Sequence, residues 1–521
     1  MSDRLSELCD ESELIGIRIM IMNEGKICVP VCGETAGDVV ARMDLIREVA
    51  DITEIRFDSV LPSEIEPLLE KVSGRDEQFL FTFRPIEQGG SREIPRSERI
   101  RFWRNIAARF GNCDRVLVDI EYDLNEPLGF DEEQVIVSRH EFHGFSGELS
   151  DVHEAFLLFP SGCIKCAVMI DDASDAVDVW RMLSEFGRSV IPIAMGEAGK
   201  WTRILGLAYF APLTYASLDA SDATAPGQIS AKDLLDVFRV KELSPRSHIY
   251  AVIAGDTSYS LSPFMHNAAF KSEGLDSVFV PMQVRNLGAF MSRMVKGATR
   301  EVELHFKGFS VTNPHKQSVM KYLDTIDETA RKIGAVNTIK IESGKLHGFN
   351  TDVDGFIRPL KKLYGDLKDA RAAVVGAGGA ARACIYALQR ERADVRVFTR
   401  DPKKAAALSK EFGIVVEALT NDNPQLRTQD ILVNATPLGT KGELEHETIA
   451  TSDELRGIKL VYDLVYNPAE TRLINEAKAA GVQTLGGIEM LLAQGARQFQ
   501  IWTGLEAPIE EMRAAVEKRL I

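Results

Sequence analysis

Short apolar runs alternate with segments of helical spacing through the first 216 residues. Strands that alternate with helices predict a parallel sheet, and eight repeats over about 200 residues predict a (β/α)8 TIM barrel. Catalytic side chains of such a barrel are expected at the carboxyl ends of its strands. The predicted strands are Lys26–Cys32, Thr53–Phe57, Phe79–Phe83, Arg115–Ile120, Gln134–Ser138, Gly162–Val168, Ser189–Ala194 and Gly206–Ala216, with helices such as Ala36–Val49 and Ser97–Phe110 between them.

The rhythm changes after Ile249, where the pattern predicts a two-lobed α/β unit. Pro263 suits the first turn of a helix that continues over Phe264–Ser272. Further on, a strand over Ala372–Val375 runs through a glycine-rich turn into the helix Ala381–Gln389. This strand–turn–helix context predicts that the second lobe is Rossmann-like.

These patterns divide the chain into five predicted segments. The apolar positions of the tail, from Ile488 to Trp502, have helical spacing, and the last helix is expected to start near Pro508. We expect the tail to fold back on the first lobe of the second half. The segments are a leader (1–24), the barrel (25–242), a substrate-binding lobe (248–354), a Rossmann-like cofactor lobe (355–486) and C-terminal helices (487–521).

Composition narrows the class of partners. The 521 residues are 45% hydrophobic and carry a formal net charge of −16, which argues against nucleic acid or an anionic membrane as the main partner. There is no run of about 18 apolar residues that would predict a transmembrane helix. Small molecules are therefore the expected partners, and the oligomeric state is left open.

Seven cysteines occur without a framework of spacings, which predicts a reducing, cytoplasmic compartment. Cys163 and Cys166 have the spacing of a redox or metal pair. They lie in an apolar, strand-like run, and no second Cys/His pair matches them, so no metal site is predicted.

The barrel half carries a lysine inside a strand. Lys165 lies in the sixth apolar run, where a charged amine is costly to bury unless it is paired or neutral. A desolvated lysine has a lowered pKa and can attack a ketone to form an imine. His140 follows the fifth run and could remove the proton that such an imine acidifies. A lone histidine is weak evidence, but a histidine and a lysine on successive strands are a stronger sign.

These residues, taken in order, resemble the type I 3-dehydroquinate dehydratase family over about residues 26–240. The resemblance implies that Lys165 forms the Schiff base and that His140 is the general base and then the acid. It further implies that Arg84 and Arg203 hold substrate oxygens, and that Glu54, Arg56, Thr224 and Gln228 line the pocket. The motifs are Glu54-x-Arg56-x-Asp58, Thr82-Phe83-Arg84, Val118-Asp119-Ile120-Glu121, Ser138-x-His140, Lys165 and Ala225-Pro226-Gly227-Gln228.

Two positions depart from the family pattern. Gln88 stands where the family has an acid, so Glu87 is a candidate to reach the site in its place. Thr224 stands where a serine is usual, which keeps a hydroxyl.

The second half also carries residues that structure alone does not require. Ser260 and Ser262 precede a helix that needs only one hydroxyl cap, which leaves the other free. Lys316 lies at a predicted helix start, where its charge opposes the helix dipole and therefore favours a functional role.

The glycine-rich turn has the G-x-G-x-x-A form of a dinucleotide fingerprint. The strand that follows, Asp394–Phe398, ends in Thr399-Arg400 where an NAD site would favour an acid. Arg400, with Lys404 a turn later, suits the 2′-phosphate of NADP; the alternative is a solvated basic corner.

Residues 248–521 resemble the shikimate dehydrogenase family. The resemblance implies that Lys316 and Asp352 are the catalytic pair and that NADP is the cofactor. Asp352-Val353-Asp354-Gly355 departs from the usual Asp-Gly, which affects only the packing behind the catalytic acid. The implied substrate-binding residues are Ser260, Ser262, Thr312, Asn337, Tyr466 and Gln494, and those at the cofactor are Gly376, Ala377, Gly378, Gly379, Ala380, Thr399, Arg400, Lys404, Asn434, Ala435 and Thr436.

Together the two halves predict a bifunctional lyase and oxidoreductase of the shikimate pathway of aromatic amino acid biosynthesis. It would dehydrate 3-dehydroquinate through a Schiff base and reduce 3-dehydroshikimate to shikimate with NADPH. Two alternatives stay open: a quinate/shikimate dehydrogenase that uses NAD, and a non-catalytic regulator derived from such enzymes.

Overall fold

The computed structural model of the chain describes residues 24–144, 161–219, 222–403, 405–420 and 425–520. The chain folds as two compact units. The first takes residues up to His248 together with Asp276–His305, and the second takes Ile249–Leu275 and the chain from Phe306 onward. None of the helices in these described ranges is long and apolar enough to cross a membrane.

The first unit contains an eight-stranded parallel sheet of TIM-barrel type, with strand order β7-β6-β5-β4-β3-β2-β1-β8. Every strand is buried along most of its length, which is typical of parallel sheets covered by helices. The strands are β1 (Lys26–Val31), β2 (Ile52–Arg56), β3 (Gln78–Thr82), β4 (Val116–Glu121), β5 (Val135–Glu141), β6 (Cys163–Met169), β7 (Val190–Met195) and β8 (Leu213–Tyr215); the helices are α1 (Ala36–Ile46), α2 (Ile65–Ser73), α3 (Arg96–Phe110), α4 (Val177–Phe186), α5 (Lys200–Leu205) and α6 (Ala231–Asp236).

The eighth strand is much shorter than the sequence predicts. Residues 207–209 form a 3-10 turn, and Phe210 has φ of 74°, so the strand begins only at Leu213. Several side chains of this run are buried in the turn as they would be in a strand, so their apolar character does not distinguish the two conformations.

The first unit also holds β10 (Ser277–Gln283) and the short helix α8 (Leu287–Phe290). The buried Asp172 carboxylate, in the loop after β6, accepts hydrogen bonds from the backbone N–H groups of Arg285 and Asn286 at 2.6 and 2.7 Å. A segment that the sequence assigns to the substrate-binding lobe therefore packs with the barrel. The domain boundaries themselves stay predictions.

The second unit contains two sheets. In one, β9, β11, β13, β14 and β12 are neighbours in that order; in the other, six parallel strands run β17-β16-β15-β18-β19-β20. The strands are β9 (His248–Ala254), β11 (Phe306–Val311), β12 (Thr325–Ile326), β13 (Thr338–Glu342), β14 (Lys345–Phe349), β15 (Arg371–Val375), β16 (Asp394–Thr399), β17 (Val415–Ala418), β18 (Ile431–Asn434), β19 (Leu460–Asp463) and β20 (Gln483–Leu485).

The helices of the second unit follow the predicted rhythm, with small shifts at their ends. They are α7 (Ser262–Ser272), α9 (His315–Ser318), α10 (Glu328–Ile333), α11 (Asp352–Tyr364), α12 (Gly379–Arg390), α13 (Ala406–Phe412), α14 (Ser452–Leu455), α15 (Arg472–Ala479), α16 (Gly487–Thr503) and α17 (Ile509–Glu517).

Helix α16 packs on both lobes of the second unit. Gln498 donates hydrogen bonds to the hydroxyls of Ser310 and Thr338 and to the carbonyl of Asn337. The Trp502 indole N–H donates to the carbonyl of Ile339 at 2.9 Å. The C-terminal helix α16 therefore packs against the first lobe through buried hydrogen bonds as well as apolar contacts.

Helix α16 also touches α11 closely at Gly355. A Cβ at this position would lie 2.6 Å from the Cβ of Gln494 and 3.0 Å from its backbone nitrogen. Only glycine lets the two helices approach this closely, which accounts for the Asp-Val-Asp-Gly sequence at the start of α11.

We predict that Gly355→Ala forces α11 and α16 apart and displaces Gln494. Overpacking of this kind costs about 1–3 kcal/mol of unfolding free energy. Thermal unfolding and an assay of the reduction predicted for the second half should both show a loss, while the reaction predicted for the barrel stays intact. Gly37→Ala is the matched control, because its Cβ would meet only the Thr35 hydroxyl, at 3.7 Å. Unchanged kinetics of that reduction in Gly355→Ala would contradict the packing argument.

Candidate active sites

A cavity in the barrel collects all eight residues to which the family resemblance assigns a role in the first reaction. Parallel strands end at the same face of a barrel, which brings side chains distant in sequence together. The cavity is lined by Glu54, Arg56, Arg84, Gln88, Gly89, His140, Phe142, Lys165, Ala167, Ile193, Met195, Arg203, Tyr215, Thr224, Ala225, Pro226 and Gln228.

Lys165 points into this cavity and is only 4% exposed. Its ammonium donates a hydrogen bond to the Asp119 carboxylate at 2.9 Å and lies 4.0 Å from the centre of the Tyr215 ring. Burial lowers the pKa of Lys165, and the neighbouring Asp119 only partly offsets this. A lysine with a lowered pKa is a better nucleophile toward a ketone near neutral pH.

Asp119 joins the cations of the site; the sequence places it in a family motif without assigning it a role. It is fully buried and accepts hydrogen bonds from Lys165, Arg84 and Ser138. Burial raises the pKa of Asp119, but Arg84 and Lys165 outweigh burial and hold it below its usual range. A carboxylate alternating with apolar residues at the end of a strand was the signal that could have identified it.

Glu54 and Arg56 line the cavity already engaged with protein partners. Glu54 accepts a hydrogen bond from the Thr82 hydroxyl at 2.7 Å. Arg56 makes two hydrogen bonds to Asp58, at 2.9 and 2.8 Å. These partners fix the orientation of both side chains before any ligand binds.

Arg203 is 2% exposed and has no carboxylate partner in the described part of the chain. Burial lowers its pKa to about 10. A buried guanidinium without a counter-ion is well suited to an anionic or oxygen-rich ligand.

Thr224 and Gln228 lie in a loop that closes on itself. The Gln228 side-chain carbonyl accepts from the backbone N–H groups of Thr224 and Ala225. Gly227, which precedes Gln228, has φ of 75°, and a Cβ there would lie 2.1 Å from the carbonyl oxygen of Gly196. The loop therefore needs glycine at this position to reach the cavity.

Gln88 holds the backbone of His140. Strand β5 extends beyond the end of β4, whose pairing stops at Glu121 and Ser138. The Gln88 side-chain carbonyl accepts the N–H of His140 at 2.9 Å, in the place that a longer β4 would fill. Glu87 is exposed and does not line the cavity, so the idea that it reaches the site is wrong.

The His140 ring is 8% exposed, and its Nδ1 has no hydrogen-bond partner among the described residues. Burial lowers the pKa of His140 well below its usual value, and Arg84 and Lys165 lower it further. The imidazole is therefore neutral at pH 7, as a general base requires.

Cys163 and Cys166 do not act as a pair. They are three residues apart on β6, so their side chains leave opposite faces of the sheet. Both are free thiols, and burial raises the pKa of each to about 12.

A second cavity, in the second unit, collects the residues proposed for the other reaction. It is lined by Val252, Asp256, Tyr259, Ser260, Ser262, Ser310, Val311, Thr312, Lys316, Asn337, Asp352, Ala380, Leu464, Tyr466, Gly487, Met490, Leu491 and Gln494. All eight of the predicted catalytic and substrate-binding residues of this half are among them.

Lys316 and Asp352 form the charged centre of the second cavity. The lysine ammonium donates to Oδ2 of Asp352 at 2.6 Å, and the Asn337 amide donates to Oδ1 at 2.8 Å. The backbone of Asp352 is also held in place, because its N–H donates to the Asn350 side-chain carbonyl at 3.0 Å. The carboxylate is thus fixed on both oxygens, and it orients the lysine.

Ser260 and Ser262 both line this cavity at the start of helix α7. Leu261 occupies the N-cap position, and the Ser260 hydroxyl oxygen accepts the N–H of Ser262, the first residue of the helix, at 3.4 Å. One hydroxyl therefore supports the helix start and the other faces the cavity, as the sequence predicts.

The glycine-rich turn between β15 and α12 presents open backbone. Gly376 has φ of 121°, and a Cβ there would lie 2.9 Å from the Ala435 carbonyl oxygen. Gly378 precedes α12, which has no side-chain cap, so its first N–H groups are free to bind a phosphate. A Cβ on Gly379 would lie 2.9 Å from Cδ of Lys316, which places this turn against the lysine that the sequence predicts to be catalytic.

The remaining cofactor candidates lie at the carboxyl end of the same sheet. Asn434 is buried and ties its turn together, donating to Asp463 and accepting from Thr436. Arg400 is exposed at the end of β16 and makes no ion pair within the described ranges. Ala377, Ala380, Thr399 and Ala435 are partly exposed around this edge, and Lys404 lies outside the described residues.

We predict that the His140 ring stays neutral at pH 6.5 and titrates only below it. Burial and the cations Arg84 and Lys165 disfavour the imidazolium, which lowers the pKa of His140 in the folded state. Protonation of His140 at lower pH therefore destabilises the folded state relative to the unfolded state. NMR spectra of ring-labelled histidine across pH 4–8 would check this, with His140→Gln to assign the resonance. A titration midpoint at or above 6.5 would show that the cationic surroundings do not control this ring.

Both halves of the chain match known protein families. The type I 3-dehydroquinase family matches residues 27–245, the shikimate dehydrogenase substrate-binding domain matches 252–339, the shikimate/quinate 5-dehydrogenase family matches 359–464 and the shikimate 5'-dehydrogenase C-terminal domain matches 487–517.

Curated relatives agree with this division. A chloroplastic bifunctional 3-dehydroquinate dehydratase/shikimate dehydrogenase of Arabidopsis thaliana is 32% identical over 95% of this chain and 85% of its own. NADP(+) shikimate dehydrogenases of Methanopyrus kandleri and Methanocaldococcus jannaschii are 40% and 41% identical over 53% of this chain and 96% and 98% of theirs. The chain therefore belongs to the family of bifunctional 3-dehydroquinate dehydratase/shikimate dehydrogenases.

Proposed function

We propose that this chain dehydrates 3-dehydroquinate to 3-dehydroshikimate in the barrel and reduces 3-dehydroshikimate to shikimate with NADPH in the second unit. The observation that supports this best is that each cavity holds a lysine paired with a carboxylate, at 2.9 Å in the barrel and 2.6 Å in the second unit. One lysine is placed for attack on a ketone and the other for proton donation to it.

In the barrel, the Lys165 amine adds to the substrate ketone and water leaves, which forms the imine. The iminium acidifies the adjacent C–H, and His140 removes that proton. The next carbon loses its hydroxyl, which takes the proton from His140 and departs as water. Hydrolysis of the imine then restores the ketone and the free lysine, so the net change is the loss of one water.

Arg203 and Arg84 are the groups that would hold the substrate's oxygens during these steps. Arg203 has no carboxylate partner among the residues that the structure describes, so it can serve as the counter-ion of the substrate carboxylate. Arg84 donates a hydrogen bond to the Asp119 carboxylate at 2.6 Å, and this contact holds its positive charge beside Lys165 and His140. That charge favours the neutral forms of both reactive side chains.

In the second cavity, Lys316 donates a proton to the oxygen of the ketone as that carbon is reduced. NADPH, when bound, supplies the hydride. Asp352, fixed by Asn337, keeps the ammonium aimed at this oxygen. The serines, Thr312, Tyr466 and Gln494 supply donors and acceptors for the substrate's hydroxyls and carboxylate.

The cofactor edge of the second unit fits a dinucleotide phosphate. The open turn at Gly376 and Gly378 and the uncapped start of α12 provide N–H groups for the pyrophosphate. Arg400, exposed and unpaired within the described ranges, would bind the 2′-phosphate that distinguishes NADP from NAD.

Presence of both reactive pairs in shaped cavities argues against the non-catalytic alternative. Small-molecule substrates remain the proposed partners, since the net charge of −16 disfavours nucleic acid and anionic membranes. The free thiols suit a reducing compartment such as the cytoplasm.

Reciprocal variants test the two sites. Lys165→Ala should abolish dehydration of 3-dehydroquinate and the borohydride-fixed adduct, yet leave 3-dehydroshikimate reduction near the wild-type rate. Lys316→Ala should reduce NADPH oxidation by at least about 100-fold, because a positioned proton donor contributes that much, and leave dehydration intact. Enone absorbance, NADPH absorbance and the mass of the labelled peptide are the readouts. An adduct on another residue, or loss of both activities in either variant, would refute the assignment.

Cofactor choice rests on Arg400. Arg400→Ala should raise the KM for NADPH by about tenfold or more and leave the KM for NADH unchanged, because a charged hydrogen bond to the 2′-phosphate is lost. Arg390→Ala, at the end of α12, is the control for removal of a positive charge from the same lobe. An equal rise in the KM for NADPH and for NADH would mean that Arg400 does not bind the 2′-phosphate.

A further inference from the structure

One tyrosine in the barrel cavity has no role in the mechanism above. Tyr215 ends β8, is 4% exposed and lines the cavity together with Lys165 and Arg203. It did not emerge from the sequence, because it lies in an apolar run where an aromatic residue is ordinary core.

The face of the Tyr215 ring confines the reactive amine. Lys165 Nζ lies 4.0 Å from the ring centre, while the Asp119 carboxylate accepts from the same nitrogen at 2.9 Å. An aromatic face attracts an ammonium through its quadrupole, so the ring and the carboxylate together restrict the position of the amine.

The hydroxyl of Tyr215 has a different significance. It is fully buried and has no hydrogen-bond partner in the described part of the chain. A buried hydroxyl without a partner costs about 1–3 kcal/mol, so such groups in native proteins call for an explanation. A phenylalanine would fill the same space and pack against Lys165 without this cost.

A second buried polar group without a partner among the described residues belongs to Arg203, which contacts the backbone of Tyr215. Arg203 donates from Nη1 to the backbone carbonyl of Tyr215 at 3.4 Å, and its Nε has no partner among the described residues. Both groups belong to residues that line the same cavity. Two unpaired polar groups on neighbouring residues are what a site for an oxygen-rich ligand requires.

We propose that Tyr215 is a substrate-binding residue of the dehydratase site. Its hydroxyl hydrogen-bonds an oxygen of the substrate at the edge that Arg203 holds, and its ring positions the Lys165 amine for attack. This inference rests on the proposed function of the barrel, and it adds a specificity-determining contact to that function.

Two variants separate the roles of hydroxyl and ring. Tyr215→Phe keeps the ring beside Lys165 and removes only the hydroxyl, so kcat/KM for 3-dehydroquinate should fall by about tenfold to 100-fold. Tyr215→Leu removes the ring as well and should also slow the fixation of a simple ketone. Cyclohexanone with borohydride is the probe for the ring, since it lacks the carboxylate and hydroxyls that the tyrosine hydroxyl would contact.

The expected pattern is that Tyr215→Phe labels with cyclohexanone at the wild-type rate, whereas Tyr215→Leu labels more slowly. Tyr209→Phe is the matched control, because Tyr209 is a barrel tyrosine that does not line the cavity. Thermal unfolding of each variant, compared with the wild-type chain, reports whether the barrel is folded.

Wild-type kcat/KM for 3-dehydroquinate in Tyr215→Phe would overturn the contact to substrate, and wild-type labelling in Tyr215→Leu would overturn the positioning of Lys165. A wild-type chain that does not dehydrate 3-dehydroquinate at all would instead refute the proposed function. The two failures are thus distinguishable in one set of assays.

Discussion

Each reactive centre of this chain depends on a lysine held against a carboxylate inside a cavity. In the barrel, where Lys165 and Asp119 are both buried, removing one partner would leave an uncompensated charge and cost about 3–5 kcal/mol. The same pairing fixes where the amine lies. In this protein, the requirement to stabilise a buried cation and the requirement to position a reactive nitrogen are met by the same contact.

The two pairs differ in their surroundings, and this difference suits different chemistry. Lys165 is enclosed, with Arg84 also bound to its carboxylate, so burial and a second cation lower its pKa. Lys316 has a side chain that is 15% exposed, and among the described residues the Asp352 carboxylate that it binds also accepts from the neutral Asn337 amide. The lysine that we propose attacks as the free amine therefore lies beside a second cation, whereas the lysine that we propose donates a proton shares its carboxylate with a neutral amide.

The surrounding backbone holds these centres in place. Gln88 replaces a missing strand partner beside His140, and Gln498 connects the C-terminal helix to the carbonyl of Asn337, whose amide holds Asp352. Glycines at 227 and 355 let a loop and a helix approach closer than any side chain would permit. These contacts explain why residues far from the reacting atoms are constrained in identity.

Local pattern was sufficient to predict much of this protein. A strand–helix rhythm, a lysine inside an apolar strand, a lysine at a helix start and a glycine-rich turn each depend on a few adjacent residues, so their chemistry is legible in the sequence. The same reasoning marked Asp119 as a polar residue of a predicted strand but could not assign its partners. It could not find Tyr215 or Gln498, because each has the type and spacing of an ordinary strand or helix residue. The roles of all three arise only when strands β4, β6 and β8, or helix α16 and strand β13, become neighbours. Nor could an apolar run show that β8 begins at Leu213, since its side chains are buried in either conformation. The sequence by itself determined which chemical groups are present and on which elements; the tertiary structure decided which of them meet, because hydrogen bonds and ion pairs form only over a few ångströms.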